Sequence, residues 1–140
     1  MRFHASCIAV GYDAVLLLGP SGAGKSDLSL RLIDAGFWLV ADDQVLIEAG
    51  VAQPIPGFEG LLEVRGMGIF RLPCAGAARV KLAVQLGEPA ERLPSPAIHP
   101  QLAVPLVSIN AHHASAVARV KLALDEACGR IIRHDGAFAA

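Results

Sequence analysis

The stretch from Gly19 to Asp43, GPSGAGKSDLSLRLIDAGFWLVADD, limits what this chain can become more than any other. Gly19–Ser26 fits the pattern G-x-x-x-x-G-K-[ST]. An unbroken apolar run, AVLLL (14–18), ends directly before it, as a strand buried on both faces does. Good helix formers follow from Lys25 to Ala35, with Leu28, Leu32, Ile33 and Ala35 as the inward stripe and Gly36 at the position after the helix end. FWLVA (37–41) then reads as the next buried strand. Strand, glycine loop, helix, strand is an α/β unit.

Each position of the loop has a physical reason. Gly19, Gly22 and Gly24 let the backbone curl around phosphate oxygens. In the loop Gly19, Pro20, Ser21, Gly22, Ala23, Gly24, Lys25 and Ser26, every residue but Pro20 offers a backbone N–H, and these groups, with the helix N-terminus behind them, supply partial positive charge. Lys25 reaches β- and γ-phosphates, and Ser26 offers its hydroxyl to Mg²⁺. ATP and Mg²⁺ are the expected ligands.

The stretch closes on two adjacent carboxylates at a strand end, where ligands of open α/β sheets gather. Asp42 and Asp43 are expected on opposite sides of an extended chain. One would hold Mg²⁺ and the other would accept a proton from an attacking hydroxyl. The competing reading is that Asp43 caps a turn while Asp42 is solvated.

The rest of the chain is read as follows. FHASCIAV (3–10) is a strand, and 44–56 is a hairpin turning at Gly50. Residues 57–72 form a glycine-punctuated segment ending in a short strand. ARVKLAVQL alternates over 78–86, which puts Val80, Leu82, Val84 and Leu86 on one face. The proline-rich 87–101 is a loop, 102–110 a strand or strand edge weakened by Pro105, and 114–129 an amphipathic helix. The tail 130–140 is expected to be partly frayed. A single domain spans 1–140.

Bulk properties exclude several classes. The net charge of −1 gives no electrostatic case for nucleic acid or an anionic membrane. Gly11, Tyr12 and Asp13 interrupt the only early apolar run, so no membrane span or export signal is expected. Three widely spaced cysteines, Cys7, Cys74 and Cys128, read as reduced thiols of a cytoplasmic protein. Apolar residues make up 54% and charged ones 18%, which points to self-association.

Four features in order resemble the HPr kinase/phosphorylase family: His4 in FHAS, the loop GPSGAGKS, the strand end VADD, and EVRGMGI at Glu63–Ile69. The resemblance covers about the first half of the chain. It implies a P-loop kinase domain with a mixed central sheet, like that family's catalytic domain, without the extra N-terminal domain of full-length members. It implies an ATP-dependent serine kinase acting on an HPr-like phosphocarrier protein of a bacterial phosphotransferase system, with possible phosphorylase activity, and a homo-oligomer, a hexamer in the family. It also implies roles: Asp42 as general base, Ser26, Asp43 and Glu63 on the metal side, and Arg65 near the transferred phosphate with His4 close by.

The sequence departs from the family signature after Ile69, where FRL replaces the usual acidic continuation, and the family's basic docking segment finds no clear arginine, the stretch LVSINAHHASAVARV offering His112, His113 and Arg119 instead. Taken alone, His4 fits a half-buried strand histidine as well as a functional one, Glu63 and Arg65 fit an exposed pair on a short strand, and His112 and His113 read as a solvated turn. Two rival functions remain. A small-molecule P-loop kinase or NTPase would ordinarily bring a lid segment. A non-catalytic nucleotide sensor would need no base.

Overall fold

The computed structural model describes residues 1–87 and 90–138. Ten strands and two helices follow one another: β1 Arg2–Phe3, β2 Ser6–Val10, β3 Asp13–Leu18, α1 Lys25–Asp34, β4 Trp38–Ala41, β5 Val45–Glu48, β6 Val51–Pro54, β7 Leu61–Val64, β8 Gly68–Arg71, β9 Ala78–Gln85, β10 Leu106–Ser108 and α2 Ala116–Ala127. Eight strands form one mixed sheet in the order β1-β5-β6-β9-β3-β2-β4, with β10 paired to β9. This is the mixed α/β class expected from the sequence.

The pairing directions determine where the site lies. β2 runs antiparallel to both β3 and β4, so those two are parallel to each other. β9 is parallel to β3, and β10 to β9. The C-terminal ends of β3, β4, β9 and β10 therefore meet at one sheet edge, where β2 begins. The long strand β9 carries β6 beside its first residues and β10 beside its last, both on the side away from β3.

Two apolar cores flank the sheet. Ile8, Val15, Leu17, Leu82, Val84 and Leu86 face α1 and α2, which contribute Leu28, Leu32, Val120 and Leu124. Cys7, Leu16, Val40, Val45, Ile47 and Val80 lie in the other core. Full burial of a leucine contributes roughly 1.5–3 kcal/mol, so Leu28 and Leu32, both 0% exposed, pin α1 to the sheet behind the glycine loop.

Several expectations are corrected. The strand expected over 3–10 is two strands. A bend at His4 and Ala5 separates β1, which pairs with β5, from β2, which pairs with β3 and β4. Val80 does not share a face with Leu82, Val84 and Leu86. The register jumps from Ala14↔Val80 to Val15↔Leu82, so Lys81 is bulged out and the alternation flips there. β4 lies at the end of the sheet, which leaves Trp38 52% exposed. Residues 57–72 hold a separate two-stranded hairpin, β7–β8.

Strand character in 102–110 shrinks to β10. Of the loop expected over 87–101, Glu88 and Pro89 lie outside the described residues. Part of the remainder is tied down by His99, whose Nδ1 accepts N–H bonds from Gln101 and Leu102, each at 3.2 Å. Its ring meets Phe3 edge-on at 6.1 Å, and burial pulls its pKa below the usual histidine range. Residues 139 and 140 of the tail expected to fray also lie outside the described part, while Ala137 and Phe138 pack against the core. Among the described residues, no helix is long and apolar enough to cross a membrane.

Candidate active site

The glycine loop leaves β3 at the shared edge and enters α1 through Gly24, which caps the helix in the left-handed conformation (φ 95°). Among the described residues, no side chain caps the helix N-terminus. Its first N–H groups therefore remain available to an anion, with the helix dipole behind them. Lys25 is buried at the first helical position. Its ammonium donates to the carbonyls of Gly19 (2.6 Å) and Pro20 (3.1 Å), which folds it across its own loop.

Beside the loop, the end of β4 carries the paired carboxylates, and the structure holds them differently. Asp42 is half-buried and accepts from three donors. Its Oδ1 takes the hydroxyls of Ser26 (2.7 Å) and Ser6 (2.9 Å), and its Oδ2 takes the Glu63 N–H (3.3 Å). Asp43 is exposed and meets His4 Nε2 at 2.8 Å through Oδ1. A carboxylate can only accept, so this contact requires the proton on Nε2.

Asp42 and Asp43 are not on opposite faces of an extended strand, as the sequence suggested. Asp43 has φ 67°, so the strand breaks between the two residues. Ser6 holds that break. Its hydroxyl is fully buried, donates to Asp42 and accepts the Asp43 N–H at 3.2 Å. The sequence reading missed Ser6, because a serine inside an apolar run carries no signal until the bend after Phe3 brings the start of β2 to this edge.

The β7–β8 hairpin closes one flank. Glu63, Val64 and Arg65 line a cleft of about 610 Å³ together with Ser21, Gly22, Gly24, Lys25, Ser26, Asp27, Leu30, Asp43 and His112. The structure thus gathers Lys25, Ser26, Asp43, Glu63 and Arg65 around one space, with Asp42 behind Ser26 and His4 behind Asp43. Ala23 packs against the core instead. His112 is the exposed turn residue that the sequence reading expected, and it also lines the cleft, whereas His113 does not.

A divalent metal fits this arrangement as a partial site. The Ser26 hydroxyl and the Asp42 carboxylate are hard oxygen donors side by side, and Mg²⁺ commonly takes one or two protein ligands and completes its shell with phosphate and water oxygens. Among the described residues, no group of three or more His, Cys, Asp or Glu side chains is gathered to hold a metal ion. The hydrogen bonds at Ser6 make a first prediction. Ser6→Ala should raise the Mg²⁺ concentration for half-maximal nucleotide binding about tenfold, the worth of one hydrogen bond to a charged group. Ser6→Thr should restore it. An unchanged metal requirement in Ser6→Ala would remove Ser6 from the site.

Comparison with known proteins agrees with this architecture. The profile of the HPr Serine kinase C-terminal domain matches residues 1–87. The chain is 43% identical over 76 residues to the HPr kinase/phosphorylase of Clostridium novyi, covering 51% of this chain and 25% of that protein. It is 36% identical over 107 residues to the HPr kinase/phosphorylase of Caldicellulosiruptor bescii, covering 64% and 34%. The chain thus spans about a third or less of these relatives' length. Among solved structures, an Hpr(Ser) kinase/phosphatase from Coxiella burnetii superposes with a TM-score of 0.70 at 22% identity, covering 93% of this chain and 96% of that one. At that identity the likeness speaks for the fold. The profile match covers well over half of the chain and contains the glycine loop, both carboxylates and the hairpin, so the chain belongs to the HPr serine kinase C-terminal domain family.

Proposed function

We propose that this domain transfers the γ-phosphoryl group of ATP to a serine of a small HPr-like phosphocarrier protein, with Mg²⁺ as cofactor. The observation that carries the reading is the separation of the paired carboxylates: Asp42 is bonded to the loop serine and Asp43 to a histidine. The first contact sets a carboxylate beside the loop hydroxyl, where the metal of a bound nucleotide would sit. The second leaves an exposed carboxylate beside the glycine loop, where it could take a proton from an incoming hydroxyl.

The roles follow from these contacts. The loop N–H groups and the α1 N-terminus hold the phosphates. Lys25 exchanges its carbonyl partners for β- and γ-phosphate oxygens, which form stronger, charge-assisted bonds. Ser26 and Asp42 would hold Mg²⁺, which would supply charge neutralisation to the phosphates. Asp43 accepts the serine proton while the His4 N–H fixes its orientation. Arg65 balances charge on the transferred group, and Glu63 faces the same space. The proposal exchanges the roles that family resemblance implied for the two aspartates. The metal falls to Asp42, because Ser26 donates to Asp42.

The test is incubation with labelled ATP, Mg²⁺ and an HPr-like carrier, followed by mapping of the label. The expected result is a phosphoserine on the carrier, formed only with a divalent metal. Label released solely as inorganic phosphate, or transferred to a small molecule, would contradict the assignment.

A further inference from the structure

His112 is a cleft residue that the proposed chemistry leaves unused. The turn that carries it follows β10 and is held against the loop–helix junction from several directions. The His112 N–H donates to Asn110 Oδ1 at 2.9 Å, and the His113 N–H donates to the Asn110 carbonyl at 3.2 Å. Ala111 is buried, and its carbonyl accepts from the Arg31 guanidinium of α1, which is itself braced by Asp27 at 3.1 Å. The backbone is therefore fixed, and the imidazole is presented, exposed, to the cleft. A Cβ placed on Gly24 would stand 3.1 Å from Ala111 Cβ and 3.8 Å from His112 Cε1, so the ring overhangs the point where the loop enters the helix.

Sheet order gives the ring its meaning. At the shared edge the strands run β4, β2, β3, β9, β10. The phosphate loop follows β3 in the middle. Asp42 and Asp43 follow β4 on one side, and His112 follows β10 on the other. A nucleoside triphosphate lying on the loop with its terminal phosphate toward the carboxylates must direct its nucleoside toward β10. What stands there is a planar ring on a rigid turn, at the mouth of the cleft.

We propose that His112 is the nucleoside-contacting residue of this site, its imidazole face stacking on the base of the bound nucleotide. The inference rests on the phosphate-loop reading above and adds to it the wall that receives the base. Stacking needs only a π-face on each partner, so it tolerates different bases.

Binding of Mg²⁺–ATP and of Mg²⁺–tripolyphosphate is measured by calorimetry for the wild type, His112→Ala and His112→Phe. Tripolyphosphate offers the same phosphates with no base. His112→Ala should weaken ATP about tenfold and leave tripolyphosphate unchanged. His112→Phe, which keeps a π-face but has no N–H and no charge, should retain ATP affinity within about twofold. Equal loss of both ligands in His112→Ala, unchanged ATP binding in that variant, or failure of His112→Phe to rescue would each overturn the proposal. If the wild type bound both ligands and His112→Ala still bound ATP normally, the phosphate-loop reading would stand and only this inference would fall. If the wild type bound neither, both would fall together.

Discussion

Asp43→Asn should lower phosphoryl transfer by about 10²–10⁴-fold, the usual worth of a general base, with nucleotide binding within about twofold of the wild type. The asparagine keeps the size of the side chain and an oxygen that can accept the His4 Nε2–H bond, now seen at 2.8 Å. It cannot take a proton from the attacking serine. Any reverse reaction, in which a phosphoserine is cleaved by phosphate, should fail to the same extent, because the same group would have to protonate the departing serine oxygen. The measurement is single-turnover transfer at saturating ATP and carrier, with nucleotide affinity determined separately. Wild-type transfer by Asp43→Asn would remove it as the base.

The second large effect is expected at the loop. Lys25→Ala should weaken ATP binding by about 10- to 100-fold, since hydrogen bonds to charged groups are worth roughly 1.5–3 kcal/mol. Gly24→Val should do at least as much damage by another route. Gly24 adopts φ 95°, which a β-branched residue reaches only under strain, and its Cβ would stand 3.1 Å from Ala111 Cβ. That crowding pushes at the turn bearing His112, and the strain distorts the first N–H groups of α1. Titration calorimetry separates the two variants from a folding defect when thermal unfolding is followed alongside. Unchanged ATP affinity in both would contradict the phosphate-binding assignment of the loop.

What could be read in the sequence was whatever depends on local spacing. The run from AVLLL through GPSGAGKS to VADD has a fixed order of strand, loop, helix and strand, and each element ends within a residue or two of where the pattern places it. The hairpin at Gly50 was legible for the same reason. The failures come from backbone irregularities that leave no trace in residue type. Lys81 looks like an ordinary outward residue of an alternating strand, yet it is bulged out and sends Val80 to the other core. The run FHASCIAV alternates too little to reveal a bend at His4, and that bend is what brings Ser6 to the carboxylates.

The candidate site was legible as a list of residues that the fold brings together and illegible as a wiring diagram. Ser26, Asp42, Asp43, Glu63, Arg65 and His4 could all be named from motif and resemblance. Which aspartate belongs to which partner depends on the left-handed backbone of Asp43, φ 67°, and on a serine more than thirty positions away in sequence. His112 could be named as a turn residue but not placed in the cleft, because its approach to Gly24 depends on β10 pairing with the last residues of β9, a long-range contact that no local pattern announces.

The division of labour between the two aspartates is tested most directly by titrating Mg²⁺ against Asp42→Asn and Asp43→Asn in parallel, with ATP binding and phosphoryl transfer read in each. Asp42 shares the Ser26 hydroxyl, so Asp42→Asn should raise the Mg²⁺ concentration for half-maximal ATP binding about tenfold or more. Its transfer should recover in part at high metal. Asp43→Asn should bind Mg²⁺–ATP at the wild-type metal concentration and stay inactive however much metal is added. If the two variants exchanged these behaviours, with Asp43→Asn rescued by metal and Asp42→Asn not, the assignment of Asp42 to the metal and Asp43 to the proton would be contradicted.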